Sequence, residues 1–225
     1  MKAGDGQGDE PADVYRYYEL WRRIANLVGG GPYDEPDLQD GRVYFRSDYS
    51  EKVRKWPEWA EQGYWGAWII EPKHEGYFCV LRSLLHEREV DRSETIQVIF
   101  SRFLDAGKYI VMRVGDSIRT SRDIRLKSLF VNWEERGLDA RIRMEPASRD
   151  VVDFLKRESP TLKDGFAEEY LKKYTLDDDL GSYGFALPDE QPRMGVLAVS
   201  LEELTAELLD GMPESITSQV ALWRK

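Results

Sequence analysis

The residues best placed to do covalent chemistry lie in YIVMRVGDSIRT at positions 109–120, where an apolar run leads into Gly115-Asp116-Ser117-Ile118. A serine at the end of an apolar strand is a potential nucleophile only with a base in reach, because an unassisted hydroxyl is weakly nucleophilic near neutral pH. The histidines are His74 and His86, and both precede Ser117. The alternative is that Asp116 and Ser117 form a turn or helix cap after the strand. His74-Glu75 and His86-Glu87 stand alone, without a second histidine or cysteine at helical spacing, so no metal site is expected. Asp177, Asp178 and Asp179 supply carboxylates but lack the alternate spacing and distal Glu of a calcium loop, which favours a solvated acidic loop. Gly29-Gly30-Gly31 lacks the Lys-Ser/Thr of a phosphate loop and follows a helix, so its role is termination. We expect no catalytic residue and no cofactor.

The elements that must position these groups can be read from periodicity. Val14, Tyr17, Tyr18, Trp21, Ile24 and Val28 recur at three- and four-residue steps and predict an amphipathic helix over 13–28. A short strand is predicted at 43–46, and 64–71 and 76–85 read as an antiparallel hairpin turned by Pro72-Lys73-His74-Glu75. Ser93 as an N-cap, with Ile96, Ile99, Phe100, Phe103 and Leu104 as one stripe, predicts a helix that stops at Gly107, followed by a strand over 109–114. A second hairpin is predicted from 126–133 and 138–144. Ser148 opens a helix that Pro160 stops, and Phe166, Tyr170 and Tyr174 suggest another. Residues 183–187 and 194–199 read as strands. Ser200 with Glu203 predicts a capping box on a helix ending at Gly211, and 216–223 reads as a weak edge strand. Hairpins mixed with helices, without regular β-α alternation, predict an α+β class: a mixed, largely antiparallel sheet with helices packed on it. The expected organisation is a disordered leader over 1–12 and a single domain over 13–225.

Composition narrows the function. Forty-two acids against thirty-two Lys/Arg leave a net charge of −10. All of that surplus lies in 145–214, where seventeen Asp/Glu meet seven Lys/Arg. Such segregation speaks to association with a basic partner and says nothing about fold. An acidic chain is not expected to bind nucleic acid, although Arg119, Arg122, Arg125 and Lys127 form a local basic cluster that can equally pair with the chain's own acids. No apolar run is long enough to span a bilayer and Met1–Glu10 lacks a signal peptide's apolar core, so a cytoplasmic protein without membrane attachment is expected. Cys79 sits in an apolar run as a buried, inert thiol. Seven tryptophans are available for core or interface, and Trp56 and Trp59 lie among polar residues where they are candidate contact anchors.

Two resemblances follow from these residues. The block around Gly115-Asp116-Ser117-Ile118 resembles the nucleophile block of the GDSL (SGNH) esterases, which implies a small serine esterase using Ser117. That family draws its base from a late Asp-x-x-His block; this chain has none, and its match lies mid-chain. A second pattern comprises a tryptophan-bearing strand over 64–71, FSRFLDAG at 100–107, Arg119, and LAVSLEELTAELLDG at 197–211. It resembles the cytoplasmic immunity proteins of bacterial polymorphic-toxin systems, in particular antitoxins of necrotizing NAD-hydrolysing toxins. That resemblance implies a non-enzymatic, monomeric inhibitor that covers a cognate toxin's basic cleft. On this reading Asp177, Asp178, Asp179, Trp56 and Trp59 are the expected partner-binding residues. A regulatory or scaffold domain, whose acidic surface serves solubility alone, is the further alternative.

Overall fold

The computed structural model describes residues 10–28, 33–47, 54–55, 57, 66–84, 93–160, 162–163 and 165–223. Helix α1 (Glu10–Leu27) buries Val14, Tyr18, Trp21 and Ile24 along one face, as their spacing predicts. It takes in residues 10–12 of the expected leader; residues 1–9 lie outside the described residues. Strands β1 (Asp37–Gln39) and β2 (Arg42–Arg46) join through Asp40-Gly41, both at positive φ, the geometry that suits the twist of a tight hairpin. Then follow β3 (Ala67–Pro72), β4 (Phe78–Leu84) and β5 (Ser93–Phe100). Helices α2 (Phe103–Arg119) and α3 (Leu129–Arg136) lead to β6 (Ile142–Pro146), α4 (Arg149–Glu158) and α5 (Phe166–Tyr170). Strands β7 (Lys172–Leu176) and β8 (Asp179–Ala186), a 3-10 segment (Pro188–Ala198), α6 (Leu201–Leu209) and α7 (Glu214–Trp223) complete the chain.

Among the described residues the strands form one eight-stranded sheet in the order β1-β2-β3-β4-β5-β8-β7-β6, with every neighbouring pair antiparallel. The class is α+β, with helices on both faces. One face carries the larger core, which α1, α2, α3, the 3-10 segment, α6 and α7 share with the sheet. The other carries a smaller cluster in which Val151, Val152, Phe154 and Leu155 of α4 and Ala167 of α5 cover Ile69, Cys79, Leu81, Ile99 and Phe185. Among the described residues no helix is long and apolar enough to cross a membrane.

Several predicted elements take another form. The stripe predicting a helix over 93–104 is split: Ile96, Ile99 and Phe100 belong to β5, which is paired along its length with β4, while Phe103 and Leu104 open α2. A bulge opposite Val80 and Leu81 pairs them with Val98 and Ile96, skipping Gln97. This turns Ile96 and Ile99, three residues apart, toward the same smaller cluster, so a bulged strand imitates helical spacing. The predicted strand at 109–114 is the middle of α2, a helix enclosed between sheet and helices and therefore buried nearly all round. Gly107 does not stop a helix. It lies inside α2 at the crossing with α1, where an added Cβ would sit 2.2 Å from Val14 Cγ2. The predicted strand at 126–133 is largely α3, that at 194–199 falls mostly in the 3-10 segment, and the predicted tail strand is α7. Tyr174, grouped with the short helix, is a fully buried residue of β7.

Candidate functional site

Each member of the Gly115-Asp116-Ser117 block has its own surroundings. Gly115 is a packing glycine: a Cβ there would meet Leu208 Cδ1 at 2.6 Å and Trp21 at 3.2 Å, so its absence lets α1 and α6 close on α2. Asp116 caps α3, accepting from Leu129 N at 2.6 Å and from the Ser128 hydroxyl at 2.6 Å. Ser117 is exposed near the C-terminal end of α2, inside a helix and not at a strand-to-helix elbow. His74 lies in the exposed turn between β3 and β4, and His86 lies outside the described residues. Of the alternative left open, a turn or helix cap formed by Asp116 and Ser117, the cap holds for Asp116 alone; Ser117 is an exposed helical residue and no strand runs into it. Cys79 is buried, and burial pushes its thiol up to about 12.

The basic cluster is similarly divided. Arg119, 4% exposed, donates to the carbonyls of Glu207, Leu208 and Asp210 at 3.2, 2.7 and 2.6 Å, and to Lys127 O at 3.3 Å. It therefore satisfies the otherwise orphaned end of α6. Lys127 pairs with Glu135, and Arg125 donates to Arg122 O.

The three aspartates form the tip of the β7–β8 hairpin. Leu176 faces Asp179 across the ladder, and Asp177 and Asp178 make the turn between them. Asp179 is held from β8 and α2's leading loop: Arg102 clasps it with both guanidinium nitrogens, and Gly181 N donates at 3.1 Å. Those bonds, the arginine's first, keep its carboxyl below the usual range. Gly181 makes the clasp possible, since a Cβ would stand 2.5 Å from the Arg102 nitrogen. Asp177 donates its N–H to Arg141 O at 2.8 Å, with Arg143 Nε 3.9 Å from its carboxylate. Among the described residues Asp178 has no ion pair within 4 Å, and it is exposed. Next along the chain Leu180 is 64% exposed, and on the edge strand β6 Met144 is 48% exposed. The structure thus sets an exposed carboxylate, coupled to Arg141 only at longer range, beside one exposed apolar side chain on a braced turn.

Beside the hairpin, an open groove of about 700 Å³ runs between the α3–β6 connection and the start of α6, lined by Arg136, Leu138, Arg141, Val199 and Glu203 among others. Arg141 pairs with Asp139 at 3.0 Å and donates to Ala198 O at 2.8 Å. The hydrogen bonds from the Arg141 side chain, and then from its backbone N–H, hold Asp139 down at about 2. Glu203 completes the predicted capping box with Ser200, and Glu207 accepts from Trp133 Nε1 at 2.7 Å.

Two features of the sequence reading change. The acidic stretch is not one face: α4 and α5 lie on one side of the sheet, the 3-10 segment and α6 on the other. Much of its charge is also met internally, through Lys73–Glu158, Lys156–Glu168, Arg136–Glu207 and Arg102–Asp179. Trp56 and Trp59 lie outside the described residues, while Trp21 and Trp133 are core. Sequence reasoning missed Leu180 and Met144 as exposed apolar side chains, because a lone apolar residue in a polar strand carries no signal. It missed Arg102 because its partner is 77 residues away.

The chain matches no protein-family model, and no curated protein matches it. Among solved structures, Rv3902c from M. tuberculosis superposes with a TM-score of 0.42 at 15% identity, over 88% of this chain and 88% of that one. A superposition of that quality fixes neither a common fold nor a common role.

Proposed function

We propose that this chain is an immunity protein, acting as a monomer in the cytoplasm, that binds a cognate bacterial toxin and occludes a basic active-site cleft. The observation that carries the reading is the β7–β8 tip: Asp178 exposed without an ion pair within 4 Å among the described residues, Leu180 largely exposed, and the turn fixed from outside by Arg102 and Arg141. A braced turn loses little freedom on docking, so less of the interaction is spent on ordering. The carboxylate gives attraction at a distance, and burial of a leucine side chain contributes about 1.5–3 kcal/mol on contact. Asp177 and Asp179 act here by shaping the turn as well as by charge.

The test is to read the gene neighbouring this chain's own for a secreted protein with a C-terminal toxin domain and to co-express that domain with this chain; a neighbour of any other kind counts against the reading. The native chain restores growth of the poisoned host. The double variant Asp178→Lys, Leu180→Glu folds with an unchanged unfolding midpoint, fails to restore growth, and associates at least about tenfold more slowly with a weaker dependence on salt. Full protection by the double variant, or failure of the native chain to bind the toxin, overturns the reading.

A further inference from the structure

Far along the sheet from the acidic tip, the structure gathers arginines that the partner-binding reading does not use. Trp68 and Arg82 stand opposite each other on β3 and β4. The Arg82 guanidinium lies 4.9 Å from an indole ring centroid of Trp68, and Arg113 of α2 brings a second guanidinium to 4.8 Å. Tyr109, one turn before Arg113, meets the same tryptophan edge to face at 6.0 Å. All four side chains of the cluster sit on paired strands or on the enclosed helix, so their positions are fixed by the fold.

Charge in this cluster does not balance. Glu190 of the 3-10 segment is its carboxylate, and it is already engaged: Tyr109 Oη donates to it at 2.7 Å and Arg193 at 2.8 Å. Arg113 is 3.7 Å from Glu190, an ion pair beyond hydrogen-bond length. Among the described residues no carboxylate pairs with Arg82. Burial, and then the like charge of Arg113, press its pKa below the usual arginine range. Among the described residues Arg113 shares Glu190 with Arg193 and Arg82 has no carboxylate partner, so positive charge is in excess in a place where charge is partly removed from water. Cation–π contact with Trp68 offsets part of that cost but supplies no counter-charge. Arg113 and Arg82 both keep some solvent access.

We infer that Arg82 and Arg113, braced by Trp68, form a binding site for a small dianionic oxyanion of the phosphate class. A dianion matches the surplus, and planar guanidinium forks match its tetrahedral oxygens with paired hydrogen bonds. The site is separate from the β7–β8 tip and stands or falls independently of the immunity reading.

The experiment titrates inorganic phosphate into the full chain at constant ionic strength, reading tryptophan fluorescence and the unfolding midpoint. Phosphate raises the midpoint saturably at low millimolar concentration, below the range of general salting effects, and acetate does not. Arg82→Gln and Arg113→Gln each weaken the response about tenfold or more, the scale of one charge-assisted pair. Arg82→Gln relieves like-charge repulsion, so without phosphate it unfolds no earlier than the native chain. Arg149→Gln, at an exposed and distant position, leaves the response intact. A native chain that answers phosphate no differently from chloride or acetate, or a response that survives Arg82→Gln, overturns the site.

Discussion

Charged residues occupy two contrasting regions of this molecule. Along α2, Asp105 and Lys108 pair at 2.7 Å with side chains only 3% and 7% exposed. Asp105 also accepts from Ser182 at 2.8 Å, and Lys108 donates to Val199 O at 3.1 Å. The same helix ends in Arg119 and its four carbonyls. At the β7–β8 tip and its groove, by contrast, Asp177, Asp178, Asp139 and Arg141 remain in contact with water. Buried charges are committed, because removing one member strands the other out of water. Surface pairs contribute little and can be exchanged for a partner's groups. In these two regions burial, and not residue type or net charge, therefore separates the charges that hold this fold from those that stay in contact with water.

Substitutions should grade along that division. The largest effect is expected for Asp105→Ala, which leaves Lys108 buried without its counter-charge and costs about 3–5 kcal/mol, read by denaturant unfolding. A loss under about 1 kcal/mol would mean that Lys108 reaches water, and the contrast between the regions would dissolve. Arg119→Ala comes next, at about 2–3 kcal/mol, since it strands the last carbonyls of α6. Hydrogen exchange should accelerate first in α6, and uniform acceleration would show that Arg119 serves the whole core instead.

The smallest effect lies at the groove. Asp139 has its folded pKa lowered to about 2 from the ordinary 3.8. Its contribution is therefore fully present above about pH 4 and is lost as pH falls through about 2. Asp139→Asn should flatten the acid limb of the stability curve in that window and lose near neutrality the small contribution that is present there, under about 1 kcal/mol because the pair is solvent-screened. A neutral-pH loss of about 3 kcal/mol or more would place this pair with the buried class.

The parts of the fold legible in the sequence are those whose signals are local. α1 follows from one apolar stripe, the β3–β4 hairpin from two apolar runs about a turn, and α6 from Ser200 and Glu203, three residues apart and bonded as expected. Illegible parts share one cause. TIQVIF in β5 and YIVMRV in α2 are nearly continuous apolar runs, each buried on more than one side, and such runs satisfy either periodicity. Of the candidate site, the acidic tip was legible as composition, while its form as a two-residue turn was not.

Neighbouring residues and totals are enough to specify an α+β chain with an acidic C-terminal stretch, a buried lone thiol and a capped α6. That residues 93–100 are strand and 103–119 helix follows from folding in three dimensions, because pairing with β4 and enclosure between sheet and helices outweigh intrinsic preference. Folding also decides which charges are available. Arg102 reaches Asp179 across 77 residues and Arg119 reaches Asp210 across 91, and no pattern along the chain encodes a partner that folding alone brings near.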